Sequence, residues 1–452
     1  MKKIFLLLTI GAVMITGCTK ILETKPESSL DAATGFTTKE SIDAGILGIY
    51  NSFQGASYYG TSYTLFPDLE ADNLDHTGSF PTYQEIKNRE INPDNVDVTN
   101  VWNQIYAGID RANNIIAASE NIKDAAFEKN KAIAEAKFLR AYLYFDLIRF
   151  FGGDATGYSL ETGVGVPLVL KPTYTISDAA PVAKSTAKQV FDQINADLDF
   201  AIANLSDPLG TGRAGKNAAV ATKARVSLYL NKFEDAETLS SQIIDQFSGA
   251  TAYGGLTENY ADIFIKKNQQ PESILELQFS STNSNGLFFY YFGRDEVEST
   301  KSLKNAHEAG DLRLPVNYYI VGSITGTLKY GRADGTDNVL LIRLAELYLI
   351  RAEARARKAS PDVDGAAADL NIVRARAGLG NTSAETATDI ANAVIKERRV
   401  EFAHEAQRWF DLRRIGLAAA AFGIADARKV LWPVPQNEVL TSGNVIQQNP
   451  GY

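Results

Sequence analysis

The only cysteine of this chain, Cys18, stands at the end of a short apolar run, and with no second thiol no internal disulfide can hold the fold together. Stability must come from burial alone, and 452 residues are enough to bury a large core. Lys2 and Lys3 precede the run, and Ile4 to Ile15 is apolar apart from Thr9 and Gly11. That is the layout of an export signal, and it falls short of the ~20 apolar residues a membrane-spanning helix needs. The run closes in Ile15-Thr16-Gly17-Cys18, which resembles a bacterial lipobox. Gly17 gives a lipoprotein peptidase room at the backbone, and the Cys18 thiol would carry the diacylglyceryl group. Each buried acyl methylene contributes about 0.8 kcal/mol, so palmitate-type chains on one cysteine hold a protein at a membrane surface. The expected organisation is a signal peptide over 1–17, a lipidated N-terminus and tether over 18–36, and one domain over 37–452.

The rest of the composition describes a soluble body. Apolar residues make up 45% and charged residues 22%, close to globular averages. The formal net charge is −9 and there is no long basic run, which argues against nucleic acid as a partner.

Helical periodicity dominates after the tether. Thr37 to Phe53 places Ile42, Ile46, Ile49, Tyr50 and Phe53 on one face, and Val98 to Ser119 repeats the pattern with Trp102, Ile105, Tyr106, Ile109 and Ile116. Further helices are expected over 124–151, 186–205, 218–230, 234–247, 340–358, 365–377, 388–406 and 408–415. Ser273 to Phe279 alternates as a strand does. Ala224, Leu230, Phe233, Ala236 and Ile243 match tetratricopeptide (TPR) spacing, in which small residues let paired helices approach closely. The segment from Ala345 to Asn371 looks like a second, insertion-bearing copy. The expected fold class is therefore mainly α: a TPR-like scaffold of helical pairs over 37–248 and 338–416, with long variable loops and a few short strands. A ligand-side insertion over 249–337 and a C-terminal segment over 417–452 complete it. Tyr58 to Asn95 and Gly249 to Thr336 are rich in Tyr, Asn, Asp, Gly and Ser, and long segments of that kind are where ligands are sought.

Several runs then become diagnostic together. Asn338 to Ala354 reads Asn-Val-Leu-Leu-Ile-Arg-Leu-Ala-Glu-Leu-Tyr-Leu-Ile-Arg-Ala-Glu-Ala, followed by Leu370-Asn371 through Gly378-Leu379. Glu397-Arg398-Arg399-Val400-Glu401-Phe402 and Arg408-Trp409-Phe410-Asp411-Leu412-Arg413-Arg414 come next. The chain closes with Trp432-Pro433-Val434-Pro435 and Asn449-Pro450-Gly451-Tyr452. With Trp102 to Tyr106, Arg111 to Asn113 and Ala136 to Tyr142 upstream, these runs are similar, in order and over nearly the whole length, to the SusD/RagB family. The resemblance implies a lipid-anchored, exterior-facing outer-membrane protein. It would capture oligosaccharide or peptide and deliver it to a SusC-like TonB-dependent transporter. It also implies that Asp72 and Asn73 lie near the ligand, where many relatives carry an Asp-Asn pair.

Sugar rings lie with their C–H faces on aromatic rings while amides, carboxylates and Arg bond the hydroxyls. The three Trp residues, Trp102, Trp409 and Trp432, fall inside scaffold motifs, which leaves loop tyrosines as platforms. The candidates are Tyr58, Tyr59, Tyr63 and Tyr83 in the first variable segment and Tyr290 and Tyr291 in the second, with Asp72, Asn73 and Arg89 as polar partners. The plainer alternative is that paired tyrosines span a core edge, and that Phe288 to Phe292 is a buried strand.

No enzyme signature is present. The charges between Glu397 and Arg414 could suggest a pair of glycosidase acids, yet Glu and Arg three or four apart on helices are more often ion pairs. The three histidines, His76, His307 and His404, offer no metal-ligand spacing, so no metal or cofactor is expected. Two other classes stay open: a TPR-type adaptor that binds only protein, and a surface hydrolase.

Overall fold

The computed structural model describes residues 35–208, 210–266 and 270–452. Cys18 and the apolar run before it lie outside the described residues. The main helices are α1 (Lys39–Phe53), α2 (Ser62–Glu70), α3 (Pro81–Asn88), α4 (Val96–Ser119), α5 (Lys129–Phe151), α6 (Ala187–Asn204), α7 (Lys216–Tyr229), α8 (Phe233–Phe247), α9 (Leu344–Arg357), α10 (Val363–Arg376), α11 (Ala387–Glu401) and α12 (Arg408–Arg414). The strands are β1 (Leu74–His76), β2 (Val164–Pro167), β3 (Lys184–Thr186), β4 (Ser273–Leu277), β5 (Val297–Ser299), β6 (Tyr319–Val321), β7 (Ile324–Gly326) and β8 (Val339–Arg343). They form two-stranded antiparallel pairs, β1–β5, β2–β3, β4–β8 and β6–β7.

The helices make a continuous row in which each packs on its neighbours: α1 on α4, α4 on α5, then α6, α7, α8, α9, α10 and α11 in turn. Such a row is a mainly α, TPR-like scaffold, because no helix pair buries its own apolar face without the next. Small side chains set the spacing. Ala218, Ala219, Ala221 and Ala224 on α7 and Ala345, Ala352 and Ala354 on α9 are all buried, so the backbones approach closely. Helix starts follow local chemistry: Thr38 and Thr186 each close a capping box, with Ser41 and Gln189 as the reciprocal partners.

Helix α5 is the axis of the N-terminal half, and every residue from Ala132 to Phe151 except Lys137 is buried. A helix surrounded on all sides shows no apolar stripe, and its charged residues must each find a partner. Glu135 takes both Arg213 Nε (2.9 Å) and Nη2 (2.7 Å), and Arg140 grips Asp197 through two 2.8 Å bonds. Asp146 pairs with Arg149.

The second half is organised around a buried ionic cluster. Glu401, at the end of α11, has no exposed surface. It accepts from Arg343 Nη1 at 2.6 Å, from Arg313 Nη1 at 3.0 Å and from Arg376. Glu272 bridges Arg343 and Arg376 at 3.0 and 2.8 Å, while Glu405 takes Arg343 and Lys329 at 2.8 and 2.6 Å. Burial alone would raise the Glu401 carboxyl, but Arg376, Arg343 and Arg313 outweigh it and hold it well below the usual carboxylate range.

The C-terminal segment closes onto α5. The Trp432 ring stacks on Phe150 with centroids 3.7 Å apart, and Asn449 Nδ2 donates to the Phe151 and Trp432 carbonyls at 2.8 and 2.7 Å. Trp432 Nε1 donates to Glu70 Oε2 at 2.8 Å.

Several boundaries differ from the sequence expectation; the helix expected over 124–151, for one, begins at Lys129. Leu340 to Arg343 is strand, not helix, because Ser273–Leu277 supplies a ladder partner for this short apolar run. Helix α11 stops at Glu401 rather than Ala406, since His404 and Ala406 adopt left-handed φ of 65° and 57°. The segment 58–95 holds two helices that periodicity could not reveal. All of α2 is buried and it contains Pro67, while α3 begins with Pro81 at its first turn.

Two expectations follow. Glu401→Gln should destabilise the fold by about 3–5 kcal/mol, because three buried arginines lose a shared anion. Thermal melts should show this at pH 7 with a gap that narrows progressively as pH falls below about 4, since the stabilisation from a depressed carboxyl is full above its unfolded pKa and is lost on the way down to its folded one. A melting temperature equal to wild type would refute the central role of this carboxylate. Asp68 and Glu70 have the opposite sign: burial pushes them up to about 7 and about 8. The folded state then holds protons that the unfolded chain has released, so these groups cost stability as pH rises from about 4 towards 7 to 8. Asp68→Asn and Glu70→Gln should therefore flatten the decline in melting temperature between pH 5 and 8. A slope identical to wild type in both would contradict the buried-acid account.

Candidate ligand face

The two variable segments meet on one side of the scaffold, where β1 pairs with β5 in the register Leu74↔Ser299, Asp75↔Glu298 and His76↔Val297. Just before β5 the chain makes a π-turn over Phe289–Gly293, closed by Arg294 N donating to the Phe289 carbonyl at 2.6 Å. Single π-turns widen the helical radius and occur often at functional sites. This one turns Phe289 outward, 54% exposed, and leaves Tyr290 half-buried beside it.

Below Tyr290 lies Tyr83, with ring planes 12° apart and centroids at 6.0 Å. Phe80, at the entrance to α3, sits 5.4 Å from Tyr83 and 6.3 Å from Tyr290. The Arg294 guanidinium lies 4.1 Å over the Phe80 ring, donates to Glu296 Oε2 at 2.9 Å and reaches Ser79 Oγ at 3.2 Å. The result is an aromatic shelf of Phe80, Phe289 and Tyr290 edged by Ser79 and Arg294. The β6–β7 hairpin borders it: Tyr319 meets Phe292 edge-on at 6.2 Å, and Ile320 and Val321 are exposed. Thr325 Oγ1 donates to Glu298 at 3.1 Å; burial and the neighbouring Asp295 raise that carboxyl.

Most of the sequence-predicted site residues lie away from this shelf, and the position of each has a physical cause. Tyr58, Tyr59 and Tyr63 are buried in a ring cluster beneath α5. The Tyr58 hydroxyl donates to Asp146 Oδ2, the Tyr59 hydroxyl does so at 2.8 Å, and Arg149 Nη2 donates to the Tyr63 hydroxyl at 2.9 Å. They satisfy a charged pair inside the core, and their rings present no face to a ligand. Tyr291 is likewise buried, its hydroxyl 2.8 Å from His404 Nδ1. Tyr83 is buried and supports Tyr290 from below.

The polar candidates are also scaffold. Asn73 is fully buried, donates to Asp68 Oδ1 at 2.5 Å and accepts from Arg399 Nε at 3.1 Å. Asp72 is held by Arg408 at 2.9 Å and Arg399 at 3.1 Å. Arg89 takes a left-handed φ of 60° at the end of α3, donates to the Glu70 carbonyl at 2.7 Å and covers the Phe422 ring at 4.6 Å. Of the nine candidates, only Tyr290 stands on the aromatic shelf. Phe80, Phe289 and Arg294, which the sequence reading did not single out, complete the shelf, and both phenylalanines lie in the two variable segments.

The histidine and acids behind the shelf are engaged within the scaffold. His404, the histidine beside the paired acids, is buried, and burial with Lys329 nearby pushes it down to about 3. It serves as a neutral hydrogen-bond hub for Tyr291, Ser299 and the Asn317 carbonyl. Glu397, Glu401, Glu405 and Asp411 are all engaged by arginine or lysine.

Comparison with known proteins agrees with this architecture. Residues 290–429 match the model of the SusD family, and residues 20–228 match one described as starch-binding associating with outer membrane. SusD-like protein P38 of Formosa agariphila is 26% identical, covering 98% of both chains, and a SusD-like protein of Bacteroides ovatus is 25% identical, covering 91% of this chain and 82% of its own. The crystal structure of a SusD superfamily protein from Bacteroides vulgatus superposes with a TM-score of 0.80 at 23% identity, over 92% of this chain and 99% of that one. A laminarin-binding SusD-like protein superposes with a TM-score of 0.77 at 25% identity, over 92% of this chain and all of that one. The shared helical row, the end-to-end relatives and the two matching models meet in one conclusion: the chain belongs to the SusD/RagB family.

Proposed function

We propose that the chain is an exterior-facing, lipid-anchored binding protein that captures oligosaccharide and delivers it to a SusC-like TonB-dependent transporter of the outer membrane. The observation that carries this reading is the aromatic shelf. Phe289 and Tyr290 offer ring faces to the C–H face of a sugar, and Ser79 and Arg294 stand beside them to bond hydroxyls. Exposed aromatic clusters are uncommon on a protein surface unless they meet a partner. The laminarin-binding relative and the starch-binding description of the matching family favour glycan over peptide. The lipobox at Cys18 supplies the anchor, and among the described residues no helix is long and apolar enough to cross a membrane. Binding occurs without turnover, consistent with an imidazole that stays neutral and acids tied to arginine.

A glycan and peptide array probed with the mature protein tests the ligand class. Phe289→Ala and Tyr290→Ala should each weaken glycan binding by roughly 1–2 kcal/mol, about ten-fold in Kd, with little change in melting temperature. Tyr58→Ala should instead lower the melting temperature through Asp146. Glycan affinity unchanged in both shelf variants would remove the shelf from the site, and peptide-only binding would overturn the glycan assignment.

The anchor and the partner are tested in cells. Cys18→Ser should leave the outer-membrane fraction and fail to incorporate palmitate. Wild-type protein should co-purify with a large integral barrel protein after gentle detergent extraction. An acylated Cys18→Ser variant, or recovery of wild type only as a free monomer, would contradict the respective assignments.

A further inference from the structure

Glu296 lies directly under the shelf, and its bond to Arg294 is one of several. Its side chain is 1% exposed, and it precedes the short strand β5 by one residue. One carboxylate oxygen, Oε1, accepts from Ser79 N at 2.8 Å and Phe80 N at 2.7 Å and lies 3.0 Å from His76 Nε2. The other accepts from Arg294 Nε at 2.9 Å. The Glu296 backbone completes the grip: its carbonyl accepts from Thr77 N at 3.1 Å and Gly78 N at 3.2 Å, and its amide donates to the Tyr290 carbonyl at 2.9 Å. One residue thus bonds every position from Thr77 to Phe80 and ties them to the π-turn.

The arrangement needs Gly78. A Cβ built there collides with the Glu296 carboxyl, so the loop closes on the acid only because that side chain is missing. A buried carboxylate costs several kcal/mol unless fully hydrogen-bonded, and pairing β1 with β5 needs only backbone bonds. Burial alone would raise the Glu296 carboxyl, but the Phe80 amide, His76, Arg294 and the Ser79 amide outweigh it and hold it below its ordinary value. The anion is therefore built in where its contacts converge on the two groups, Phe80 and Arg294, that frame Tyr290.

We propose that Glu296 is the positioning residue of the ligand face, fixing Phe80 and Arg294 against the π-turn so that the shelf is preformed before ligand arrives. It acts on affinity through Phe80 and touches no ligand itself. The assignment rests on reading the shelf as a glycan site. Preformed platforms bind more tightly because ordering the loop is not charged to the binding step.

The test uses the mature full-length chain and three variants, Glu296→Gln, Phe80→Ala and the double substitution. Two readouts are taken: affinity for soluble laminarin by titration, and amide exchange of the peptide spanning residues 77–83. In Glu296→Gln, exchange in that peptide should accelerate about ten-fold or more while α5 and the melting temperature stay as in wild type. Each single variant should weaken laminarin binding by roughly five- to twenty-fold, and the double variant should be no weaker than Phe80→Ala within about two-fold, the non-additivity of groups acting as one unit. Additive losses, or unchanged exchange in 77–83, would overturn the proposal, and so would exchange rising throughout the molecule. If wild type binds no laminarin or other arrayed glycan, the glycan reading fails by itself, and the exchange experiment still decides whether Glu296 holds the loop. Should Glu296→Gln fail to fold, Gly78→Ala displaces the same carboxyl from the other side and must give the same local exchange.

Discussion

The arginines around Glu401 hold the second half of this molecule together. Arg343 ends β8, Arg376 ends α10, Arg313 comes from the loop before Leu314, and Glu401 ends α11. Four separate pieces of chain therefore arrive at one anion. Several kcal/mol per ion are lost when such groups leave water, and only a fully paired set offsets that cost. Glu272, Glu405 and Lys329 complete the set, and Lys329 itself is pushed down to about 8 by burial. The cluster fixes where β8 hands over to α9, and so where the C-terminal helices sit relative to the insertion that carries the π-turn.

Scaffold and ligand face divide along chemistry. The scaffold buries charge in matched pairs and fills space with alanine and large rings. The shelf does the reverse: it exposes rings and hides one acid beneath them. Asp72 with Arg399 and Arg408 marks the boundary, a half-buried triad that fastens the strand region of the face to α11 and α12. Under the proposed reading, variation in residues 77–80 and 286–294 would change what is bound while the ionic cluster and α5 stay constant.

Much of the scaffold was legible because its helices alternate buried and exposed positions with a period near 3.6. Where an element is short, proline-containing and buried all round, as α2 is, that signal vanishes and only the fold reveals it. The strand at Val339–Arg343 was hidden for a related reason: a short apolar run fits helix or strand equally until a partner strand is known. The site was less legible. Tyr58, Tyr59 and Tyr63 look like loop aromatics in one dimension, yet they exist to solvate Asp146, which lies more than 80 positions later in the chain. A clue was available, since an acid between Phe145 and Leu147 in an apolar helix requires buried donors. Nothing comparable announces the π-turn, whose extra residue shows only in the Phe289–Arg294 hydrogen bond.

The clasp of Trp432 and Asn449 on the end of α5 has a consequence for the order of events during synthesis. Phe150, the Phe151 carbonyl and Glu70 all wait for groups made much later, 298 positions on for Asn449 against Phe151 and 362 for Trp432 against Glu70. A nascent chain can form its helices and stack them as they emerge, yet the central helix keeps one open end until that distant segment arrives. Closure of α5 is therefore a late event in synthesis, set by the position of its partners in the chain.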